Sequence, residues 1–497
     1  MLRMLLIKGA VSKAFLHYSP RPLKEGGLLI RRTIPLLTTM ALTLLVASGV
    51  VLAAGVGSAG AQSSIVGPGE SIQKAVNAAD PGDTIVVRGV HREDVVIRKN
   101  GIKLRGDDAV IEAPARAKAD SPCSKAFGPE AICVFGDANL RTAKVNRPIK
   151  DVSISGFTIR GFKQKANKPI TTIMIDVFGA RNATIAGNHV MGNAAAGIGF
   201  SAEGLNNTIE NNDLTDNEDD GVFVERQRNT TIARNDITGD PRGEVEGIDV
   251  KDSRNTKIVN NVVKDYFIGI EADANSVNTT IAGNKSIGNS HTGISSFEAT
   301  GTKMLSNTTR RNEAVGIFLG FAERANAKVV GNNISGGPWG ILVTDAHRGS
   351  FAGNTIHDNC AGMFFEATSV DPPFAPQPVG EFEVKGNTVE NNTRSCRAAQ
   401  SGINFSGIGI ALLGARDMEV TDNHLSGNVP SGPTPVSGGV VVSTDPFFGG
   451  TTKPMNNTVT GNHFGRNKPD IFWDESGSGN RFVGNLCNSS VPSRLCN

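Results

Sequence analysis

Thr230-Thr231-Ile232-Ala233-Arg234-Asn235-Asp236-Ile237-Thr238 returns 26 residues later as Thr256-Lys257-Ile258-Val259-Asn260-Asn261-Val262-Val263-Lys264. In both copies an aliphatic residue is followed three positions on by Asn, and two further on by a second aliphatic residue. Outward from this pair the Asn recurs at Asn188, Asn212, Asn284, Asn307, Asn332 and Asn354, with steps of 22 to 26. It continues through Asn387, Asn423 and Asn462 at steps of 33, 36 and 39, and ends at Asn485 after 23. Self-similarity at a fixed period in this range is the mark of a solenoid, and the three long steps are insertions into it.

Between successive Asn residues lies a Gly-apolar step, as at Gly197-Ile198, Gly221-Val222, Gly247-Ile248, Gly269-Ile270 and Gly293-Ile294. Alternation of period two punctuated by Gly and Asn reads as short strand and tight turn, and no stretch of the repeat has helical spacing. Three strands per turn, climbing about 4.8 Å, describe a parallel β-helix whose Ile and Val column fills the bore while the Asn residues stack amide to amide. The twelve ladder positions then predict about twelve coils and a rod roughly 58 Å long. Ser71-Ile72-Gln73-Lys74-Ala75-Val76-Asn77-Ala78-Ala79 has apolar residues at helical spacing and is expected to cap the open first rung.

Residues 1–61 stand apart. Arg31-Arg32 precede an apolar run from Ile34 to Val56, and Ala59-Gly60-Ala61 is a small-x-small cleavage site, so the segment reads as an export signal. The expected organisation is a signal over 1–61 and one β-helix domain over 62–497. Within that domain come a cap at 62–80, an inserted loop at 114–150, regular coils at 151–368 and loop-bearing coils at 369–497. Export places the protein in the cell envelope or outside it, with no membrane contact once the signal is removed. Cys123 with Cys133, Cys360 with Cys396 and Cys487 with Cys496 form local pairs that in an exported chain read as disulfides rather than metal ligands.

The whole sequence has 50 Lys and Arg against 48 Asp and Glu; removing the signal's seven and one leaves 43 against 47, a net charge of −4. So mild an acidity argues against nucleic acid as a partner. The seven His residues after the signal form no His-x-His pair, so soft-metal chemistry has no visible ligand set.

Side chains alternate along the Gly-initiated strand, so the second and fourth residues after Gly face out. Successive rungs then stack Phe223, Asp249, Glu271, Ser295 and Phe318 in one column and Glu225, Lys251, Asp273 and Phe297 in the next. Glu225, Asp249, Glu271 and Asp273 form an acidic patch suited to a hard cation such as calcium, with Lys251 and Arg226 beside it. Removing a proton next to a sugar carboxylate needs that carboxylate neutralised and a base in place. Calcium or Arg226 can do the first and Lys251 the second, with Asp249 and Glu271 in the same catalytic group. Tyr266, His291, Phe297 and Phe318 surround the patch as candidate substrate contacts. A solvated face of alternating salt bridges is the competing reading of these same residues.

Gly69-Glu70-Ser71-Ile72-Gln73, Gly82-Asp83-Thr84, Leu104-Arg105-Gly106 and Val152-Ser153-Ile154-Ser155-Gly156-Phe157-Thr158-Ile159 give the chain a further likeness. It resembles the bacterial right-handed parallel β-helix repeat family, which includes pectate lyase-like proteins, mannuronan C5-epimerases and NosD-type periplasmic proteins. The resemblance implies an all-β, right-handed parallel β-helix and an acidic polysaccharide as partner. It also implies that a calcium-dependent lyase with an acidic cluster and a Lys or Arg base is the activity to test. Asp219-Asp220 matches only the double Asp of polygalacturonases. Asp345-Ala346-His347 departs at its middle position from the Asp-Pro-His of mannuronan epimerases. Hydrolase and epimerase therefore stand behind lyase, and a non-catalytic scaffold or NosD-type accessory protein is the alternative from another class.

Overall fold

The computed structural model describes residues 61–114, 122–140, 142–163, 172–367, 379–398 and 401–496. The expected export signal lies outside them except for Ala61, as does most of the Pro-rich stretch 369–380. The described chain opens on strand Ser63–Val66 and helix Ile72–Ala78. Ser71 caps the helix, its Oγ accepting from the Lys74 N–H, while Glu93 accepts from the N–H groups of Ile72 and Gln73. The helix turns Ile72 and Val76 into the bore. It thus covers the first rung, as its sequence predicts.

Beyond the cap each turn repeats three strands, for example Thr231–Ala233, Asp236–Thr238 and Glu246–Lys251. The first two belong to a sheet of 27 strands and the third to a sheet of 15, counted among the described residues. Register is parallel throughout both. Ile232, Ile258, Ile281, Met304 and Val329 are successive partners in one, and Val222, Ile248, Ile270, Ile294 and Ile317 in the other. These columns are fully buried. The 15-stranded sheet exceeds the twelve ladder positions because Val95–Ile97, Ile132–Phe135 and Ile173–Phe178 precede Asn188 and carry no ladder Asn.

The Asn ladder is continuous from Asn188 to Asn485. Each Asn donates its backbone N–H to the side-chain oxygen of the next, at 2.8–3.1 Å, across every insertion. Asn284 is typical: its side-chain amide also donates to Ile258 O at 2.8 Å and to Asn307 Oδ1 at 3.1 Å, satisfying backbone that the turn would leave unpaired. A second ladder stands five residues after the first, seen in Asn193 with Asn217, Asn289 with Asn312, and Asn359 through Asn392 and Asn428 to Asn467. Sequence reading passed over it because its members are replaced in several turns.

All three expected disulfides form: Cys123–Cys133, Cys360–Cys396 and Cys487–Cys496. Within the stretch expected as an inserted loop, the first links helix Pro122–Ala126 to strand Ile132–Phe135 of the 15-stranded sheet; the second anchors the antiparallel pair Cys396–Arg397 and Asn404–Phe405, and the third ties the last described turn.

Candidate functional site

The outward column predicted from alternation is present on the 15-stranded sheet. Asp176, Gly199, Phe223, Asp249, Glu271, Ser295 and Phe318 are successive register partners, and Glu225 pairs with Lys251 in the column beside it. A third column, just before each Gly, adds Asp220 and Glu246 to the same face, where Glu246 partners Ile268 and then Thr292.

Asp249, Glu271 and Asp273 converge so that one carboxylate oxygen from each lies within 4.8 Å of the others, an arrangement able to hold a cation. Asp249 is only 8% exposed, and its Oδ1 is buried with no hydrogen-bond partner among the described residues. Glu271 accepts from Ser295 Oγ at 2.6 Å. Lys251 Nζ lies 3.6 Å from Asp273 Oδ2, both side chains mostly buried. Glu225 stands outside the converging trio and pairs instead with Arg226 at 3.1 Å. The expected four-carboxylate set is therefore a three-carboxylate one, because Arg226, in a left-handed turn conformation, folds back onto its own neighbour.

Burial governs the charge states here. It pushes Glu271 up to about 8, with the Asp273 charge adding to it, and Asp220 up to about 8, with Asp219 adding. Glu246 and Asp249 are held well above the ordinary carboxylate range by burial and by each other's neighbours. Burial also works against the Lys251 ammonium, but Asp273, Asp249 and Glu225 outweigh it and raise its pKa. The role of tuned base expected of Lys251 does not fit this setting: a base tuned toward neutrality needs its pKa lowered, and the neighbouring carboxylates raise it.

Tyr266 is not a surface platform. It is wholly buried in the bore, at the second-ladder position where other turns carry Asn, and the backbone N–H there donates to Asn289 Oδ1. Its ring fills the space left by three glycines; a Cβ on Gly239 would come within 2.6 Å of it, and one on Gly221 within 3.1 Å of its hydroxyl. The five-residue offset from Asn261 is the sequence signal that places it inside. Phe318 is also buried, at 2% exposure, packed near Phe321, while Phe297 is half-buried with its ring centroid 5.4 Å from that of Phe321. His291 is half-buried at the edge of the face and stacks on Phe267 at 4.8 Å. Its Nδ1 meets Thr292 Oγ1 at 2.8 Å, and burial lowers its pKa to about 4.

Two buried acids on the same face were not singled out from the sequence. Asp176, pushed up to about 7 by burial, accepts from Ser201 Oγ; its strand has Met174 where other turns have Gly, which hid the alignment. Glu366, pushed up to about 8 by burial and then by Asp445, accepts from Thr344 Oγ1 at 3.1 Å. Asp445 comes from a loop whose Phe447 packs on Phe364 and Phe405, so sequence spacing gave no hint of the meeting. Phe447 thus meets the outward column of Phe318 and Leu342 at its next member, Phe364.

Similar structures include the A-module of the Azotobacter vinelandii mannuronan C-5 epimerase AlgE6, 14% identical, with a TM-score of 0.42 over 84% of this chain and 94% of that one. The periplasmic alginate epimerase AlgG is 15% identical, with a TM-score of 0.44 over 72% and 83%. XylC in complex with xylose is 13% identical, with a TM-score of 0.45 over 81% and 86%. No curated protein matches the sequence. Among the described residues no helix is long and apolar enough to cross a membrane. The model of the right-handed β-helix region matches residues 83–285 and 268–448, and the chain belongs to that family.

Proposed function

We propose that this chain is an extracytoplasmic protein that binds an acidic polysaccharide across the outer face of the 15-stranded sheet. There it cleaves the polymer by β-elimination or epimerises it. The observation that carries the reading is the orphaned, buried Oδ1 of Asp249 beside Glu271 and Asp273, since an unpaired carboxylate oxygen in a low-dielectric site calls for a cation or a proton. A uronate carboxylate would be repelled by these groups alone. Three oxygen donors at this spacing suit a hard divalent cation, and calcium held by Asp249, Glu271 and Asp273 would supply neutralisation of the substrate carboxylate.

The chain's own residues supply the rest of the chemistry. Lys251 and Arg226 put positive charge at the edge of the cluster, where they orient an anionic sugar. Asp220, pushed up to about 8, and Glu246, also raised by burial, are the proposed acids that give a proton to a leaving-group oxygen. His291, kept neutral by burial, is the proposed acceptor. Phe297 and Phe321, on the following rungs, offer apolar surface to sugar rings. The three disulfides support a location outside the cytoplasm.

The test is incubation of the purified chain with pectate and with alginate, with calcium or with a chelator. New double bonds are read by ultraviolet absorbance and inverted C5 centres by proton NMR. Activity that requires calcium and is lost in Asp249→Asn is expected. No change in any polymer would leave the rod as a non-catalytic scaffold.

A further inference from the structure

On the rungs of Asp249 and Glu271, and on the two rungs that follow, the 27-stranded sheet carries a row of cations. On the outward positions of the 27-stranded sheet, Lys257, Thr280, Lys303 and Lys328 are successive register partners. In the adjoining strand column Lys264, Ile287, Arg310 and Ser335 follow one another, with Lys285 beside Ile287. Within the strands of these four rungs the outward residues include no acid. Lys257, Lys285, Lys303, Arg310 and Lys328 are exposed, and none makes an ion pair among the described residues, whereas Lys264 pairs with Asp236 at 3.5 Å. The acids closest in sequence are Asp265 and Glu313, beyond the strand ends. Five unpaired cations on a rigid ladder repel one another, an arrangement that stabilises nothing in the fold by itself.

We propose that this basic ridge is a docking surface for a strand of anionic polysaccharide, separate from the acidic cleft on the other sheet. Rungs repeat at about 4.8 Å, comparable to the length of one pyranose, so cations on successive rungs can meet carboxylates on successive sugars along the rod. Between the cations lie Val259, Val262, Ala282, Leu305 and Val330, half-buried aliphatic surface flat enough for a sugar ring. No outward residue on these strands is aromatic, so the ridge lacks the stacking platforms of a single-stranded nucleic-acid site. Nor does it carry the protruding Trp, Phe or Leu side chains that anchor a membrane-surface element, Leu305 being half-buried in the row. The inference rests on the polysaccharide reading above for its ligand class and is independent of any catalysis in the cleft.

The experiment is affinity electrophoresis of the full chain in gels containing polygalacturonate or alginate, with neutral dextran as control. A fourfold variant, Lys257→Gln, Lys285→Gln, Lys303→Gln and Lys328→Gln, is compared with the cleft variant Asp249→Asn. All four lysines are exposed, and circular dichroism checks that the variant folds. Expected are retardation of the wild type that weakens as salt rises and a loss of affinity of roughly ten-fold or more in the ridge variant. The cleft variant, which loses only what the acidic cleft adds to binding, should still be retarded by the polyanion, and more strongly than the ridge variant. Equal binding by the ridge variant and the wild type overturns the ridge, as do equal retardation by dextran and preferential binding to single-stranded DNA or phosphatidylserine vesicles. Retention lost only in the cleft variant also overturns it. Retention lost in the ridge variant, in a chain that turns over no polymer, keeps the ridge and removes the chemistry proposed for the cleft.

Discussion

Asn284 is held twice by one neighbour and binds others in turn. Its Oδ1 accepts from the backbone N–H and side-chain amide of Asn261 at 2.8 and 3.0 Å, while its own amide serves Ile258 O and Asn307 Oδ1. Asn284→Ala strands these buried groups and is expected to cost on the order of 3 kcal/mol of unfolding free energy, measured by denaturant titration. Tyr266 is the opposite case. Its hydroxyl is buried with no partner among the described residues, so Tyr266→Phe should leave stability unchanged or raise it by about 1 kcal/mol. The buried acids set a pH dependence. Folded-state values of about 7 for Asp176 and about 8 for Asp220, Glu271 and Glu366 lie above their unfolded ones, so the unfolded chain holds fewer protons between them. Their stabilisation is complete below about pH 4, where both states are protonated, and is lost as pH rises through 7 to 8. Thermal midpoints should therefore fall across that window, and Glu366→Gln should flatten the fall. A midpoint that rises steadily from pH 5 to 8 contradicts this.

Strands were legible because each carries its own punctuation: Gly before the outward columns, Asn at the corner, and an aliphatic residue in the bore between them. The acidic columns followed from the same alternation, which placed Asp249 and Glu271 as register partners. What the pattern could not give is where a long side chain ends. Arg226 turns to Glu225 and Lys251 reaches Asp273, choices made by packing rather than by period. Insertions were legible only as interruptions. The hairpin of Cys396–Arg397 with Asn404–Phe405 folds back so that Phe405 stacks on Trp339 at 4.7 Å, a contact between residues far apart in the repeat. Cys360–Cys396 bridges a separation of 36 residues, and Cys396 is the register partner of Phe405. Replacing both cysteines by Ser is expected to cost about 4 kcal/mol on the chain-entropy estimate. It should also shift Trp fluorescence to the red as Phe405 leaves the indole. An unchanged spectrum with full loss of stability would separate the cross-link from the stacking.

At the scale of the β-helix, every turn touches chiefly the turns before and after it, through parallel register and the two Asn ladders. Stability in such an array is close to a sum of turn terms and nearest-neighbour terms, so damage in one turn should spread only a few rungs. The opposed charge of the two sheets is stacked the same way, rung on rung, and depends on that register being kept. Asn284→Ala probes both properties at once. Native-state hydrogen exchange should show lost protection in the strands Lys257–Val259, Thr280–Ala282 and Lys303–Leu305, next to the broken ladder. Protection in Glu419–Thr421 and Thr458–Thr460, several turns away and beyond two insertions, should stay as in the wild type. Uniform loss along the whole chain would mean that the β-helix unfolds as one cooperative unit. In that case the ladder would act as a single structural column rather than as a series of separable links.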